Sequence, residues 1–149
     1  MAENLIDLGA PAKRVEVIPN GVDLLRFSPV SSQAERDTLR RQLGIEPTDE
    51  VLLFVGFISY RKGIDVLLEA WQQITKQRPK ARLLLIGHRI DGNNTDVPPS
   101  FHDQTFMDKI DALVKQFAHP DRVVFCGNVT NVEQYMRTAD VFLFPSRRE

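Results

Sequence analysis

Short apolar runs alternate along this chain with longer segments in which apolar residues recur at helical spacing. There are four such runs, and Gly or Pro closely follows each of them. Apolar residues at consecutive positions are typical of strands that are covered on both faces. The predicted strands are Val51 to Val55, Leu83 to Ile86, Val123 to Phe125 and Val141 to Phe144.

The segments between the runs predict three helices. Their apolar residues recur from Ile64 to Ile74, from Phe106 to Phe117, and from Val132 to Ala139, with Asn131 as a candidate N-cap of the third helix. We expect the aromatic residues on these faces, such as Trp71, to lie in the core. The alternation of strand and helix predicts an α/β fold, a Rossmann-like doubly wound parallel sheet of about four strands with helices on both faces.

The chain ahead of the first strand has a different pattern. Val15 to Ile18 is a candidate strand, Pro19 to Gly21 a candidate turn, and Phe27 to Pro29 an extended link. We therefore expect residues 1–30 to be a linker or the end of a preceding domain, and residues 31–149 to form the α/β domain.

A short helix is predicted at the start of that domain. Ser32 and Glu35 have the spacing of a capping box, and Gly44 lies where a helix would end. Further along, His88 to Gln104 is a polar segment that predicts a long loop. Loops of this length in compact domains are usually functional or mobile.

Composition excludes several classes of function. Lys and Arg together number 19 against 20 Asp and Glu, so no bulk charge attracts nucleic acid or acidic lipid. No apolar run approaches the roughly 20 residues that a membrane-spanning helix needs, which leaves only a peripheral membrane contact open. The single Cys126 predicts a buried apolar position and a reducing, cytoplasmic setting. No Cys or His pair has the spacing of a metal site, so we expect no metal.

The segments that follow the strands carry the candidate chemistry. In a parallel sheet they meet at one edge, and three of them open with Gly56, Gly87 and Gly127. Glycine lets backbone N–H groups approach a ligand, and a following helix N-terminus favours negative charge. These segments also contain five arginine and lysine residues and one histidine: Arg61, Lys62, His88, Arg89, Arg147 and Arg148.

This cluster predicts a pocket for a phosphorylated ligand. The alternative is that the glycines are ordinary turn residues and the cations are solvated, and the pattern alone favours neither. Two other phosphate-binding classes are disfavoured. The segment Gly56 to Gly63 lacks the glycine spacing of a dinucleotide-binding turn, and no acidic residue ends the second strand. The strand ends also lack the Asp that a phosphate-accepting receiver domain needs.

An ordered series of motifs runs from about residue 15 to the end of the chain. In order, the motifs are Val17 to Asp23, Phe27 to Pro29, Phe54 to Gly56, Lys62 to Ala70, Leu84 to Gly87, Val124 to Gly127, and Ala139 to Ser146 followed by Glu149. Together they resemble the carboxyl-terminal, donor-binding half of a retaining glycosyltransferase of group 1, or family 4. In this family two Rossmann-like domains face each other across a cleft, so the resemblance implies a truncated GT-B enzyme.

The resemblance also implies roles for individual residues. Lys62 matches the family lysine that binds the donor diphosphate, and Gly56 matches the glycine that admits the donor. Glu149 matches a glutamate that hydrogen-bonds the transferred sugar, and the segment at Asn128 and Val129 resembles the one that cups the nucleobase. The catalytic residues implied in this way are Lys62 and Glu149, and the donor-binding residues are Gly56, Phe57, Arg61, Lys62, Gly87, His88, Gly127, Asn128 and Val129.

One departure from the family pattern lies at Phe57. Many members carry an arginine there as a second phosphate ligand. Either Arg61 takes over this contact, which we favour, or Lys62 and backbone groups hold the phosphate alone.

The expected activity is transfer of a hexosyl group from a UDP- or GDP-sugar to an unidentified acceptor, with retention of configuration and without a cofactor. The alternatives are a sugar-nucleotide epimerase on the same scaffold and a non-catalytic nucleotide-binding module. We expect the isolated fragment to be inactive, because the acceptor domain is missing from it. We also expect Val141 to Phe144 to lie at an unprotected sheet edge, where the chain could self-associate.

Overall fold

The computed structural model describes residues 2–89 and 104–147. Within these residues two 3₁₀ turns, Ala12–Arg14 and Pro120–Arg122, accompany the helices and strands. The helices are α1 (Ala2–Asp7), α2 (Gln33–Gln42), α3 (Ile64–Gln77), α4 (Gln104–Lys115) and α5 (Val132–Thr138). The strands are β1 (Glu50–Val55), β2 (Ala81–Ile86), β3 (Val123–Gly127) and β4 (Val141–Phe142).

The four strands form one parallel sheet in the order β3-β2-β1-β4. The two central strands pair along their whole length, with Leu52 opposite Leu83. Leu53 and Phe54 point to opposite faces, and both are fully buried. Continuous apolar strands therefore do lie between two covered faces, as the sequence predicts.

Helices cover both faces of the sheet, which confirms the doubly wound α/β prediction. On one face α3 and α4 pack on β1 and β2, with Trp71 fully buried at the centre of the cluster. On the other face Leu53, Leu84 and Ile86 pack against the end of α2 and against Tyr135 of α5. Strands β1, β2 and β3 thus contribute alternate residues to two separate cores.

Ser32 is the N-cap of α2 and Gly44 follows its end, as the sequence predicts, but only half of the predicted capping box forms. The Ser32 hydroxyl accepts a hydrogen bond from the Glu35 amide at 3.2 Å. The Glu35 carboxylate does not return to Ser32 but accepts from the amide and hydroxyl of Ser31, both at 2.7 Å. Gly44 has a φ of 67° just past the helix end, where the left-handed region favours glycine.

Two predictions about the amino-terminal segment are wrong. Residues 15–18 form no strand and residues 19–21 form no turn; the turn lies at residues 24–26 instead. Val17 and Ile18 are largely exposed, so this β-rich stretch pairs with no strand that the structure describes. The segment does contact the α/β unit through Arg26, which donates to Glu133 and to the Thr130 carbonyl. The division of the chain at residue 30 stays a prediction.

The fourth strand is shorter and less covered than predicted. Only Val141 and Phe142 pair with β1, and the run does not extend to Phe144. The side chains of Val141, Phe142 and Phe144 are about half exposed, so this run is not covered on both faces. Its expected position at the edge of the sheet is confirmed.

A buried arginine ties α2 to the segment between α5 and β4. The Arg40 side chain is 3% exposed and donates to the Thr138, Pro47 and Asp49 carbonyls and to the Asp140 carboxylate. Asp140 also accepts from Arg36 and from the Val51 amide at the start of β1. This network fixes the edge opposite the strands' carboxyl ends.

Candidate functional site

The carboxyl ends of β1, β2 and β3 meet at one edge of the sheet, as the sequence predicts. The Gly56 amide donates to the Ile86 carbonyl at 2.9 Å, and the Gly87 amide donates to the Gly127 carbonyl at the same distance. The ladder continues into the loops, where the Ile58 amide donates to the His88 carbonyl at 2.8 Å. Backbone hydrogen bonds therefore hold the three predicted glycines in register.

Gly87 has a specific steric reason to be glycine. Its φ is 134°, and a Cβ at this position would lie 2.1 Å from the Gly56 carbonyl oxygen. The two strand ends can approach this closely only without a side chain between them.

A pocket of about 390 Å³ opens above these strand ends. Six of the ten site residues predicted from the sequence line it, and three apolar side chains complete the lining. The predicted lining residues are Gly56, Phe57, Gly87, His88, Asn128 and Val129, and the additional residues are Val55, Ile86 and Val132.

Two ring side chains and one amide shape the wall of this pocket. The Phe57 and His88 rings are stacked, with their centroids 6.4 Å apart and their planes at 16°. The side-chain amide nitrogen of Asn128 lies within hydrogen-bond distance of Nε2 of His88. This wall is planar and has polar edges, so it is suited to a planar heterocycle or a sugar face.

Lys62 lies at the same edge, in the loop between β1 and α3, but it is not part of the pocket lining. Its Nζ atom is 5.1 Å from the centroid of the Phe144 ring, in the segment that leaves β4. The two segments pack tightly at Gly63, where a Cβ would lie 2.2 Å from the Pro145 carbonyl oxygen. Lys62 therefore lies where the segments that follow the neighbouring strands β1 and β4 meet, at the edge of the sheet where α/β proteins bind ligands.

Two of the predicted rim cations are already paired with carboxylates. Arg89 donates to Asp111 at 2.6 Å and lies over the Phe125 ring. Arg147 forms two 2.8 Å hydrogen bonds to the Asp65 carboxylate. These pairs correct the picture of a uniformly positive rim, because their charges are locally compensated.

Arg61 and Gly127 lie at the edge without lining the pocket. The Arg61 carbonyl accepts from the Arg147 amide at 3.0 Å, and no carboxylate of residues 2–89 or 104–147 pairs with its guanidinium. Glu149, Arg148 and most of the predicted polar loop lie outside the described residues.

Three residues that shape this edge had no role assigned from the sequence: Tyr60, Asp65 and Phe144. Tyr60 and Asp65 hold Arg147, and Phe144 lies under Lys62. Asp65 falls within a motif on which the family resemblance rests, but its partner is 82 positions away. Only a prediction that β4 lies next to β1 could have brought the two together.

Cys126 is partly buried on β3, and this burial raises the pKa of its thiol. Within residues 2–89 and 104–147 no group of three or more His, Cys, Asp or Glu side chains could hold a metal ion. The same residues contain no helix of the length and apolarity that crossing a membrane requires.

Comparison with protein families adds direct evidence. The family model described as "Glycosyl transferases group 1" matches residues 35–149. Mannosylfructose-phosphate synthase from Agrobacterium fabrum is 32% identical over 145 aligned positions, and the match covers 96% of this chain and 30% of that protein. D-inositol 3-phosphate glycosyltransferase from Kineococcus radiotolerans is 34% identical over 152 aligned positions, gaps included, and the match covers 97% of this chain and 32% of that protein. The chain spans about a third of the length of these curated relatives.

A solved structure shows the same fold. The crystal structure of Anabaena Alr3699/HepE in complex with UDP-glucose superposes with a TM-score of 0.73 at 23% identity. The match covers 97% of this chain and 35% of that one. The Rossmann-like arrangement of a GT-B enzyme is thereby confirmed for the described sheet and helices.

Proposed function

Because the chain belongs to the group 1 glycosyl transferases, we propose that it forms the donor-binding part of an enzyme that transfers a hexosyl group from a nucleoside diphosphate sugar. The observation that carries this proposal is the pocket at the carboxyl edge of the sheet, lined by Gly56, Gly87 and Val129, with Lys62 at the same edge. UDP-glucose is the first donor to test, because a protein of the same fold was crystallised with it.

In the proposed reaction the bond between the anomeric carbon and the β-phosphate oxygen breaks. The acceptor hydroxyl oxygen forms the new bond on the same face of the sugar, and its proton passes to the departing phosphate oxygen. Breaking this bond adds one negative charge to the departing phosphate oxygen, and the acceptor's proton neutralises that charge as it arrives. Lys62 stabilises this developing charge electrostatically, and Glu149 hydrogen-bonds the transferred sugar.

The remaining residues bind and orient the donor. Phe57 and His88 form a flat wall, and the Asn128–Val129 segment surrounds the nucleobase, largely through backbone groups. The absence of side chains at Gly56 and Gly87 leaves the strand ends accessible to the donor.

A metal ion has no part in the proposed reaction, since Lys62 supplies the positive charge. We place the reaction in the cytoplasm, where a lone thiol such as Cys126 stays reduced. A nucleotide sugar is the proposed ligand, and the acceptor is left open.

The test compares Lys62→Ala with wild type in the longest native polypeptide that carries this sequence. We expect UDP to bind at least about tenfold more weakly to the variant, because a charge-assisted hydrogen bond is removed. Uridine, which has no phosphate, should bind both proteins within about twofold. Lys76→Ala, an exposed lysine on α3, is the matched control and should bind UDP as wild type does. Equal UDP affinity of wild type and Lys62→Ala in calorimetry would contradict the proposal.

A further inference from the structure

Arg147 connects the segment after β4 to the loop that carries Lys62 through an unusually complete set of contacts. Its guanidinium forms two parallel hydrogen bonds to the Asp65 carboxylate, both of 2.8 Å. One guanidinium nitrogen also donates to the Tyr60 carbonyl at 2.6 Å, and the group lies 3.9 Å from the Tyr60 ring centroid. The Arg147 amide donates to the Arg61 carbonyl. We call this set, Tyr60, Arg61, Asp65 and Arg147, the β1–β4 clamp.

Three residues of the clamp flank Lys62 in the sequence. These are Tyr60, Arg61 and Asp65, and Phe144 lies under the Nζ atom of Lys62. Gly63 and the Pro145 carbonyl are too close for any side chain at position 63. The backbone on both sides of Lys62 is therefore held against the segment that leaves β4.

Asp65 is also suited to hold the Arg147 guanidinium in place. It lies in the first turn of α3, where the helix dipole stabilises negative charge. Burial alone would raise the pKa of Asp65, but hydrogen bonds from Arg147 and from backbone amides outweigh it and hold the pKa below its ordinary value. The same contact raises the pKa of the Arg147 guanidinium. Both partners are consequently charged over the whole physiological range.

We propose that Asp65 and Arg147 are positioning residues for the donor diphosphate, acting through Lys62. The inference rests on the proposed function of Lys62 and extends it. The bidentate pair fixes the loop between β1 and α3 against the β4 segment, and this holds the Lys62 ammonium group where the diphosphate binds. Neither Asp65 nor Arg147 needs to touch the donor itself.

The test measures binding of UDP and uridine to Asp65→Asn in the longest native polypeptide that carries this sequence. Asparagine keeps the size of the side chain but removes the charge and one of the two acceptor oxygens. UDP should bind about five- to tenfold more weakly, whereas uridine should stay within about twofold of wild type. In turnover assays the donor KM should rise by a similar factor with a smaller change in kcat.

A double-mutant cycle separates positioning from general destabilisation. In a Lys62→Ala background, Asp65→Asn should weaken UDP binding by no more than about twofold, because the residue through which it acts is gone. Arg147→Gln should resemble Asp65→Asn, and the double variant should be no worse than either single one. Arg147→Lys keeps the charge without the bidentate geometry and should restore part of the affinity. The control for lost stability is Glu35→Gln, which breaks a carboxylate–arginine pair with Arg137 away from this edge and should leave UDP affinity unchanged.

The outcomes distinguish the two proposals. If Lys62→Ala weakens UDP binding and Asp65→Asn does not, only the positioning role is overturned. If Asp65→Asn weakens UDP binding equally in both backgrounds, it acts independently of Lys62 and the positioning role is again overturned. If Lys62→Ala binds UDP normally, the proposed function fails, and the positioning role fails with it.

Discussion

The Gly87 α-carbon faces the Gly56 carbonyl so closely that a methyl group between them would lie 2.1 Å from the oxygen. The neighbour is backbone, which cannot rotate away as a side chain would. Two adjacent parallel strands therefore end at glycines for different reasons. Gly56 has a φ of 152°, which residues with a side chain rarely adopt, whereas Gly87 makes room for the Gly56 carbonyl.

Gly87→Ala should destabilise the fold strongly. We expect the free energy of unfolding to fall by at least about 3 kcal/mol, since backbone strain and a steric clash act together. Gly44→Ala is the matched control, because Gly44 has a positive φ but nothing within 4 Å of its Cβ position. In the control the free energy of unfolding should fall by about 1 kcal/mol, because only the backbone strain acts there. Urea unfolding followed by circular dichroism measures both, and equal losses would contradict the steric explanation.

Arg40→Met should also be strongly destabilising. The substitution removes a nearly buried guanidinium and leaves the Thr138, Pro47 and Asp49 carbonyls without this donor. Breaking a buried charged network in this way costs about 3–5 kcal/mol.

The control for Arg40→Met is Arg78→Met, which removes an exposed arginine paired with Glu50 at 3.6 Å. It should change the free energy of unfolding by no more than about 0.5 kcal/mol. A loss at Arg40 as small as that at Arg78 would show that the buried network contributes little.

The sheet could be predicted from the sequence because its signal is local. Leu53 and Phe54 are adjacent apolar residues, and only a strand between two layers buries both. The same reasoning places Gly56, Gly87 and Gly127 at one edge, since parallel strands share a direction. Six of the residues that the family resemblance implies for donor binding lie in the segments at this edge and line one pocket.

The errors arise where the outcome depends on a distant partner. Val17 and Ile18 have strong β propensity, but propensity forms a strand only where another strand accepts its hydrogen bonds. Likewise, Arg89 and Arg147 predict a positive rim because the sequence does not show that Asp111 and Asp65 lie next to them. Sequence spacing carries no direct information about pairs 22 or 82 residues apart.

Stability should decrease in acid through Asp140. Burial by itself would raise the pKa of this carboxyl, but the Val51 amide and the guanidinium groups of Arg40 and Arg36 outweigh it and lower the pKa. A carboxyl group whose pKa is lower in the folded than in the unfolded state stabilises the fold fully at pH values above its unfolded pKa. This stabilisation is lost as the pH falls through its folded pKa. We therefore expect the free energy of unfolding to decrease below about pH 4.

Asp140→Asn isolates this contribution. The variant should be less stable than wild type at pH 7, and the difference should shrink as the pH falls, because wild-type Asp140 then loses its charge as well. Urea unfolding at a series of pH values measures the difference. A constant difference from pH 7 to the acid limit would show that Asp140 does not carry the effect.

Phe57→Arg tests how the diphosphate is held. In many enzymes of this family an arginine at the corresponding position contacts phosphate, whereas here Phe57 is about half exposed and stacks on His88. If position 57 faces the phosphates, the arginine should tighten UDP binding about tenfold at low salt and leave uridine unchanged. The gain should shrink as salt is added, because an exposed ion pair is screened. Phe57→Leu, which removes the stack without adding charge, should change UDP and uridine binding alike.

The same variant decides whether Arg61 supplies the second phosphate contact. If it does, Arg61→Ala should weaken UDP binding about tenfold in the wild-type background. The effect should be much smaller in the Phe57→Arg background, because the new guanidinium already contacts the phosphate. If Lys62 and backbone amides hold the phosphates alone, Arg61→Ala should have little effect in either background. Calorimetry of wild type, Arg61→Ala, Phe57→Arg and the double variant at one ionic strength separates the two arrangements. A weaker UDP complex in Phe57→Arg would contradict the expected phosphate contact at position 57, because it would mean that the phenyl ring contributes more to nucleotide binding than the new guanidinium does.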